Sequence, residues 1–175
     1  ANYLLVKDPL EALQTLTAAH RRKFAIPVIG ITGSNGKTII KEWLFQLLRE
    51  DYNIVRSPKS YNSQIGVPLS VWQIEQENNL CLFEAGISMP GEMEKLQEMI
   101  RPSIGIFTNV GSAHDENFTD HEQKITEKLK LFKDTSKLIY CRDYPLVHQA
   151  IVNGGILSEN VSAFTWSKKS RADLQ

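Results

Sequence analysis

Residues 28–38 read Val-Ile-Gly-Ile-Thr-Gly-Ser-Asn-Gly-Lys-Thr: an apolar run that turns through two glycines straight into a lysine and a threonine. That order suits a phosphoryl group. Gly33 and Gly36 let the backbone curl so that successive N–H groups point at one spot. Lys37 supplies a cation for phosphoryl oxygens, and the Thr38 hydroxyl can ligate Mg²⁺. A helix beginning near Gly36 adds its positive N-terminal end. Thr32, Gly33, Ser34, Asn35, Gly36, Lys37 and Thr38 are therefore the expected phosphate-binding segment. The strict G-x-x-x-x-G-K-[ST] spacing would want glycine at 31, where this chain has Ile31; its glycines stand at 30, 33 and 36, a variant of the motif. The alternative, a glycine-rich turn without a ligand, is disfavoured by the strand expected before it and the helix expected after it.

In an open parallel sheet, ligands bind beyond the carboxyl ends of the strands. The apolar run Leu80-Cys81-Leu82-Phe83 ends in Glu84, followed by Ala85-Gly86. Ile104-Gly105-Ile106-Phe107 ends in Thr108-Asn109, and His114 lies five residues further on. A carboxylate and an imidazole thus converge on the edge where a triphosphate would sit. Glu84 is the natural second Mg²⁺ ligand, because this ion prefers oxygen donors and keeps several waters. The plainer alternatives are a solvent-facing strand end for Glu84 and a structural hydrogen bond for His114. His20, His121 and His148 receive only the structural reading. Lys128 is the less obvious candidate. On a helical period Ile125, Leu129 and Phe132 form an apolar face, and Lys128 projects within it while Glu127 and Lys130 point elsewhere. A lysine so placed either snorkels out along its stem or has a buried anionic partner.

Alternating elements position these groups. Asp8-Pro9-Leu10-Glu11 reads as a helix start, with Leu10, Leu13 and Leu16 turned inward and an end near Arg22-Lys23. Strands are expected at 27–32, 53–55, 80–83, 103–108, 137–141 and 161–166. Helices are expected from Gly36 to about residue 50 and over 66–72, 91–100, 121–134 and 145–152, with Thr119-Asp120-His121-Glu122 as a capping box. Strands separated by helices give an α/β fold with a mostly parallel sheet flanked by helices on both faces. With 175 residues and 42% apolar composition the chain can bury one good core. Lys plus Arg and Asp plus Glu both number 20, which argues against non-specific nucleic-acid binding. No run reaches the length of a membrane span. Cys81 and Cys141 sit in apolar runs and read as buried thiols in a reducing compartment. The absent initiator Met and the unfinished ending suggest a piece of something longer.

Taken together these residues resemble the central, ATP-binding domain of the Mur ligases, the ATP-dependent amide-bond-forming enzymes of peptidoglycan assembly, whose cousins are the folylpolyglutamate synthases. The loop at 31–38 is similar to their T-G-x-x-G-K-T form, which accounts for Ile31. Further matches are Asn62 with Ile65-Gly66-Val67-Pro68-Leu69, Glu84-Ala85-Gly86, and Pro102 through Val110 leading to Ala113-His114, in the family's order across most of residues 25–140. Within the family, Ile-Gly-Val-Pro-Leu and the single Ala-His most resemble the branch that adds D-alanyl-D-alanine to UDP-N-acetylmuramoyl-tripeptide. The resemblance implies a P-loop NTPase-like domain filling residues 1–175, with N-terminal UDP-binding and C-terminal domains outside it, in a cytoplasmic enzyme using ATP and Mg²⁺. It implies that Thr38 and Glu84 hold one Mg²⁺, that His114 helps hold a second, and that Asn109 lies at the nucleotide. Asn62 and Ser63 would lie near the muramoyl-peptide. Lys128 matches a family lysine often carbamylated by CO₂, although the acidic residue usual two positions later is here Lys130. Other Mur ligases, folylpolyglutamate synthase-like ligases and P-loop kinases or GTPases remain the rivals, but no Asn-Lys-x-Asp guanine motif and no arginine-rich lid are present.

Overall fold

The computed structural model describes residues 5–111, 117–155 and 161–174. Helix α1 (Pro9–Arg21) leads into β1 (Val28–Thr32), α2 (Lys37–Leu48), β2 (Ile54–Arg56), α3 (Gly66–Val71), β3 (Leu80–Glu84), α4 (Glu92–Ile100), β4 (Ile104–Phe107), α5 (His121–Leu129), β5 (Lys137–Cys141), α6 (Pro145–Asn153) and β6 (Ser162–Trp166). The strands form one sheet in the order β2-β3-β1-β4-β5-β6, and every described pairing is parallel. β1 lies between β3 and β4, the point where strand order reverses and a crevice opens beyond the carboxyl ends.

The period of two along each strand divides the core. Ile29, Ile31, Leu80 and Leu82 face α2 and pack against its Ile40, Leu44, Phe45 and Leu48. Val28, Cys81, Phe83, Phe107 and Leu138 face the other way, into a larger apolar layer built by α1, α3, α4, α5 and α6. Since Leu80 and Leu82 point at α2, Glu84 must as well. This register delivers a carboxylate beneath the first turns of the helix that follows the glycine loop. The opposite side of α2 is bare: Ile39, Trp43 and Leu47 are exposed. Both cysteines are buried and unpaired, and no described helix is long and apolar enough to cross a membrane.

Three local expectations differ from the structure. Helix α1 turns Gln14, Thr17, Ala18 and Arg21 inward and leaves Leu10 and Leu16 exposed. Polar anchors decide it: Gln14 Nε2 donates to the Gln64 side chain (2.9 Å), and Arg21 Nε donates to the Ile100 carbonyl at the end of α4 (3.0 Å). The helix expected to reach 134 ends at Leu129 and tightens into a 3₁₀ turn over Lys130–Phe132. Its capping box is displaced by one residue, with Asp120 accepting from Gln123 N (2.7 Å) and Gln123 Oε1 accepting from Thr119 N (2.9 Å).

Gly105 lets that 3₁₀ turn approach the sheet: a Cβ there would lie 2.4 Å from the Phe132 ring. Gly105→Ala is expected to cost about 1–3 kcal/mol through overpacking. Urea unfolding measures it; an unchanged midpoint would show that the Phe132 ring yields freely.

Candidate functional site

The loop between β1 and α2 takes its shape from glycine and from β4. Gly33 has φ +142°, and a Cβ on it would fall 1.9 Å from Thr108 Oγ1; Gly36 has φ +83° and begins α2 without a side-chain cap. The carbonyl of Asn109 accepts from Ser34 N (2.9 Å) and its side-chain oxygen accepts from Asn35 N (3.0 Å), while Thr108 Oγ1 donates to the Asn35 carbonyl (2.6 Å). The amides of Ser34 and Asn35, expected to face a phosphate, are thus engaged in bracing the loop on Asn109. The first-turn amides of α2, which a helix cannot satisfy internally, are left for an anion. Thr32 is buried and its hydroxyl donates to the Ala85 carbonyl (2.8 Å), tying the end of β1 to the segment after β3.

Lys37 folds back over the loop, donating to the carbonyls of Gly33 (2.9 Å) and Ser34 (3.4 Å). Burial holds its ammonium below the ordinary lysine pKa, against the opposing pull of Glu84. Thr38 Oγ1 donates to Glu84 Oε2 (3.0 Å) and lies 3.1 Å from Ser60 Oγ. Glu84 is fully buried. Its other oxygen, Oε1, receives no hydrogen bond among the described residues, and its compensation is an ion pair with Lys41 at 2.9 Å. Two oxygen donors 3.0 Å apart, Thr38 Oγ1 and Glu84 Oε2, fit a hard divalent cation that keeps several waters. Among the described residues no group of three His, Cys, Asp or Glu side chains gathers. A cation here would draw its remaining ligands from water, substrate oxygens or residues outside those described. His114 is one of those outside.

A cleft of about 130 Å³ opens beside this loop, lined by Gly33, Ser34, Lys37, Asn62, Ser63, Gly86, Ile87, Ser88 and Lys128. A larger hollow of about 900 Å³ lies among α4, α5 and α6, away from the glycine loop. The smaller cleft is the one where the chemistry gathers. The Asn62 carbonyl accepts from Gly86 N (2.7 Å), and a Cβ at Gly86 would crowd the Asn62 amide at 2.8 Å, so this wall is tightly fitted. Lys128 reaches the cleft from α5, 3% exposed, and neither snorkels nor meets a carboxylate among the described residues. Instead burial, and then the charges of Lys37 and Lys124, push its ammonium down to about 7.

Two residues that the apolar period of α5 did not single out complete the picture. Lys124, one turn before Lys128, is buried and donates to the Gly111 carbonyl (2.6 Å). Glu127 is buried as well, and its Oε1 accepts from Gly91 N (2.8 Å) and Met93 N (3.2 Å) at the start of α4. Lys130, where an acidic residue was expected, pairs with Glu127 (2.8 Å) and Glu94 (3.0 Å). Together these bonds fix the rotation of α5 that aims Lys128 at the glycine loop.

A family model described as the Mur ligase middle domain matches residues 31–175. The UDP-N-acetylmuramoyl-tripeptide--D-alanyl-D-alanine ligase of Bacillus subtilis is 33% identical over 150 residues, 84% of this chain and 33% of that protein. Its counterpart in Treponema pallidum is 38% identical over 130 residues, 74% of this chain and 28% of that protein. The crystal structure of MurF ligase from Thermotoga maritima in complex with ADP aligns with a TM-score of 0.83 at 26% identity, over 95% of this chain and 36% of that one. The chain thus spans about a third of the length of the curated relatives it matches.

Because the pKa of Lys128 lies near 7 in the folded chain against 10.5 in its absence, the unfolded state binds more protons between those values. Its contribution to stability therefore rises with pH from about 7 to about 10.5 and is least favourable below 7. Lys128→Met should exceed the parent chain in urea resistance by a few kcal/mol below pH 7 in CO₂-free buffer, with the gap closing toward pH 10.5. A gap independent of pH would refute the buried, depressed amine.

Proposed function

Because the chain belongs to the Mur ligase family and spans its middle domain, we propose that it binds Mg²⁺-ATP and carries the phosphoryl-transfer site of a ligase joining D-alanyl-D-alanine to a UDP-N-acetylmuramoyl-tripeptide. The observation that carries this reading is the shared cleft, in which the glycine loop with Lys37, the Asn62–Ser63 wall and Lys128 line one space. Phosphate-binding groups and the residues assigned to the peptide substrate are thereby within reach of the same reacting carboxylate.

Each residue has a role in this proposal. The first-turn amides of α2 and Lys37 hold the β- and γ-phosphates. Thr38 and Glu84 hold the Mg²⁺, with His114 assigned to a second ion from the family pattern. Bound there, Mg²⁺ would neutralise charge on the transferring phosphoryl group. Asn62 and Ser63 orient the muramoyl-peptide so that its carboxylate attacks the γ-phosphorus in line and ADP leaves. The dipeptide amine then attacks the acyl phosphate and inorganic phosphate departs. Asn109 acts through the loop it braces, and Thr32 through the strand end it ties down.

Lys128 fits carbamylation. With its pKa near 7, a large share of the side chain is free amine at neutral pH. The nitrogen adds to the carbon of CO₂ and loses a proton, and the carbamate anion gains the company of Lys37 and Lys124. The proposal assigns UDP-binding and C-terminal domains to the rest of such a ligase, since this chain spans about a third of the relatives' length. A cytoplasmic setting follows from the nucleotide substrates. The named relatives favour D-alanyl-D-alanine over the substrates of other Mur ligases or of folylpolyglutamate synthases.

Thr38→Ala in the complete ligase should lower turnover with ATP, UDP-N-acetylmuramoyl-tripeptide and D-alanyl-D-alanine by about a hundredfold or more while the fold persists. Glu84 is a poorer target, since removing it strands the buried charge of Lys41. Unaltered turnover, or GTP displacing ATP from the site, would refute the reading. Intact mass after incubation with bicarbonate should show one added CO₂ in the parent chain and none in Lys128→Met. A parent chain that never gains that mass would remove the carbamate from the proposal.

A further inference from the structure

In α2 the side chain that is fully buried is a lysine, Lys41, and not one of the helix's leucines. It follows Thr38 by three residues and Lys37 by four, so all three descend on one side of the helix toward the end of β3. Burying an ammonium costs several kcal/mol unless it is paired and hydrogen-bonded. Lys41 meets both conditions. Its Nζ donates to the carbonyl of Ser57 (2.6 Å) and to that of Lys59. It lies 2.9 Å from Glu84 Oε1 and 3.2 Å from Glu42 Oε1. Glu42 in turn pairs with Arg56, whose guanidinium stacks on Phe45 at 3.9 Å.

Two consequences follow from this placement. Lys41 takes Oε1 of the carboxylate and so turns Oε2 toward the Thr38 hydroxyl. The same ammonium holds the backbone of residues 57–59, where Lys59 adopts φ +47°, a left-handed conformation unfavourable for a non-glycine residue. Ser57 is stitched to the same strand from its other side: its N–H donates to the Leu82 carbonyl (3.0 Å) and its Oγ accepts from Glu84 N (3.2 Å). Residues 57–59 open the loop that ends in Asn62 and Ser63, the wall of the cleft opposite the phosphate-binding turn.

We infer that Lys41 is a positioning residue that aims the Glu84 carboxylate and fastens the 57–63 loop to it, so that cation binding at Thr38 and Glu84 orders the peptide-substrate wall at Asn62 and Ser63. The inference rests on the reading of Thr38 and Glu84 as cation ligands. A lysine that merely stabilised the fold would leave the loop's response to ligand unchanged when replaced.

Amide hydrogen exchange separates these possibilities, measured on the chain alone, with ADP, and with ADP plus Mg²⁺. In the parent chain ADP alone should slow exchange over residues 33–38. Adding Mg²⁺ should also slow residues 57–63 by about tenfold, a usual size for linked sites. In Lys41→Met, residues 33–38 should still respond to ADP, while the Mg²⁺-dependent protection of 57–63 is lost. Persistence of that protection in Lys41→Met, or its absence from the parent chain while 33–38 respond, would overturn the inference and leave the nucleotide reading standing. Failure of 33–38 to respond to ADP in the parent chain would overturn the nucleotide reading, and this inference with it. Should Lys41→Met not fold, Lys41→Arg replaces it, keeping a cation beside Glu84 while its planar guanidinium cannot reproduce the ammonium's donation to the carbonyls of Ser57 and Lys59. The same loss over 57–63 is expected there, and protection retained would count against the inference.

Discussion

Glu84 is a carboxylate without exposed surface, standing at the end of a central strand, and the arrangement around it exists to make that tolerable. Removing an ion from water costs several kcal/mol after every relaxation a protein can offer. Here the compensation comes from Lys41 on one oxygen and the Thr38 hydroxyl on the other. Both partners come from α2, so the helix and the strand cannot slide past each other without exposing an uncompensated charge. The glycine loop that joins β1 to α2 inherits its position from this pair. Its geometry is then refined by β4, through Asn109 and Thr108.

The same economy governs the other wall. Helix α5 carries Lys128, yet Lys128 has no described partner of its own to aim it. Glu127, its neighbour, binds the amides that open α4, and Lys130 secures Glu127 from the following turn. A buried amine surrounded by two other cations is an unfavourable object in isolation. It persists because adjacent residues on the helix are anchored independently of it, a pattern common where strain serves a site.

Much of this was readable beforehand for one reason: strand burial and helix period are local. The apolar run from Leu80 to Phe83 marks a strand ending in Glu84 and the glycine spacing marks the turn, whereas the side of the sheet that the carboxylate takes is set by α2 packing on Leu80 and Leu82. The misreadings share a cause too. Leu10 and Leu16 were expected inward because leucine usually is, but α1 is held by Gln14 and Arg21 reaching Gln64 and the end of α4, contacts between residues far apart in sequence. Lys41 escaped notice for the same reason. Its helical spacing from Thr38 was visible, whereas the carbonyls of residues 57 and 59 that accept its protons become neighbours only once the sheet forms. His114 lies outside the described residues, so its part rests on the family pattern alone.

Sheet faces covered as unequally as these do not loosen together. On one side five helices interlock over an extensive apolar layer; on the other, among the described residues, α2 alone lies across β1 and β3, its outer surface open to water at Ile39, Trp43 and Leu47. Local opening follows the thinner cover, because fewer apolar contacts must be given up there. The glycine loop is hinged to that single helix. On the proposed function, exchange of a bound nucleotide needs only a small lift of one layer, while the thick side keeps the strand ends in register for the next occupant.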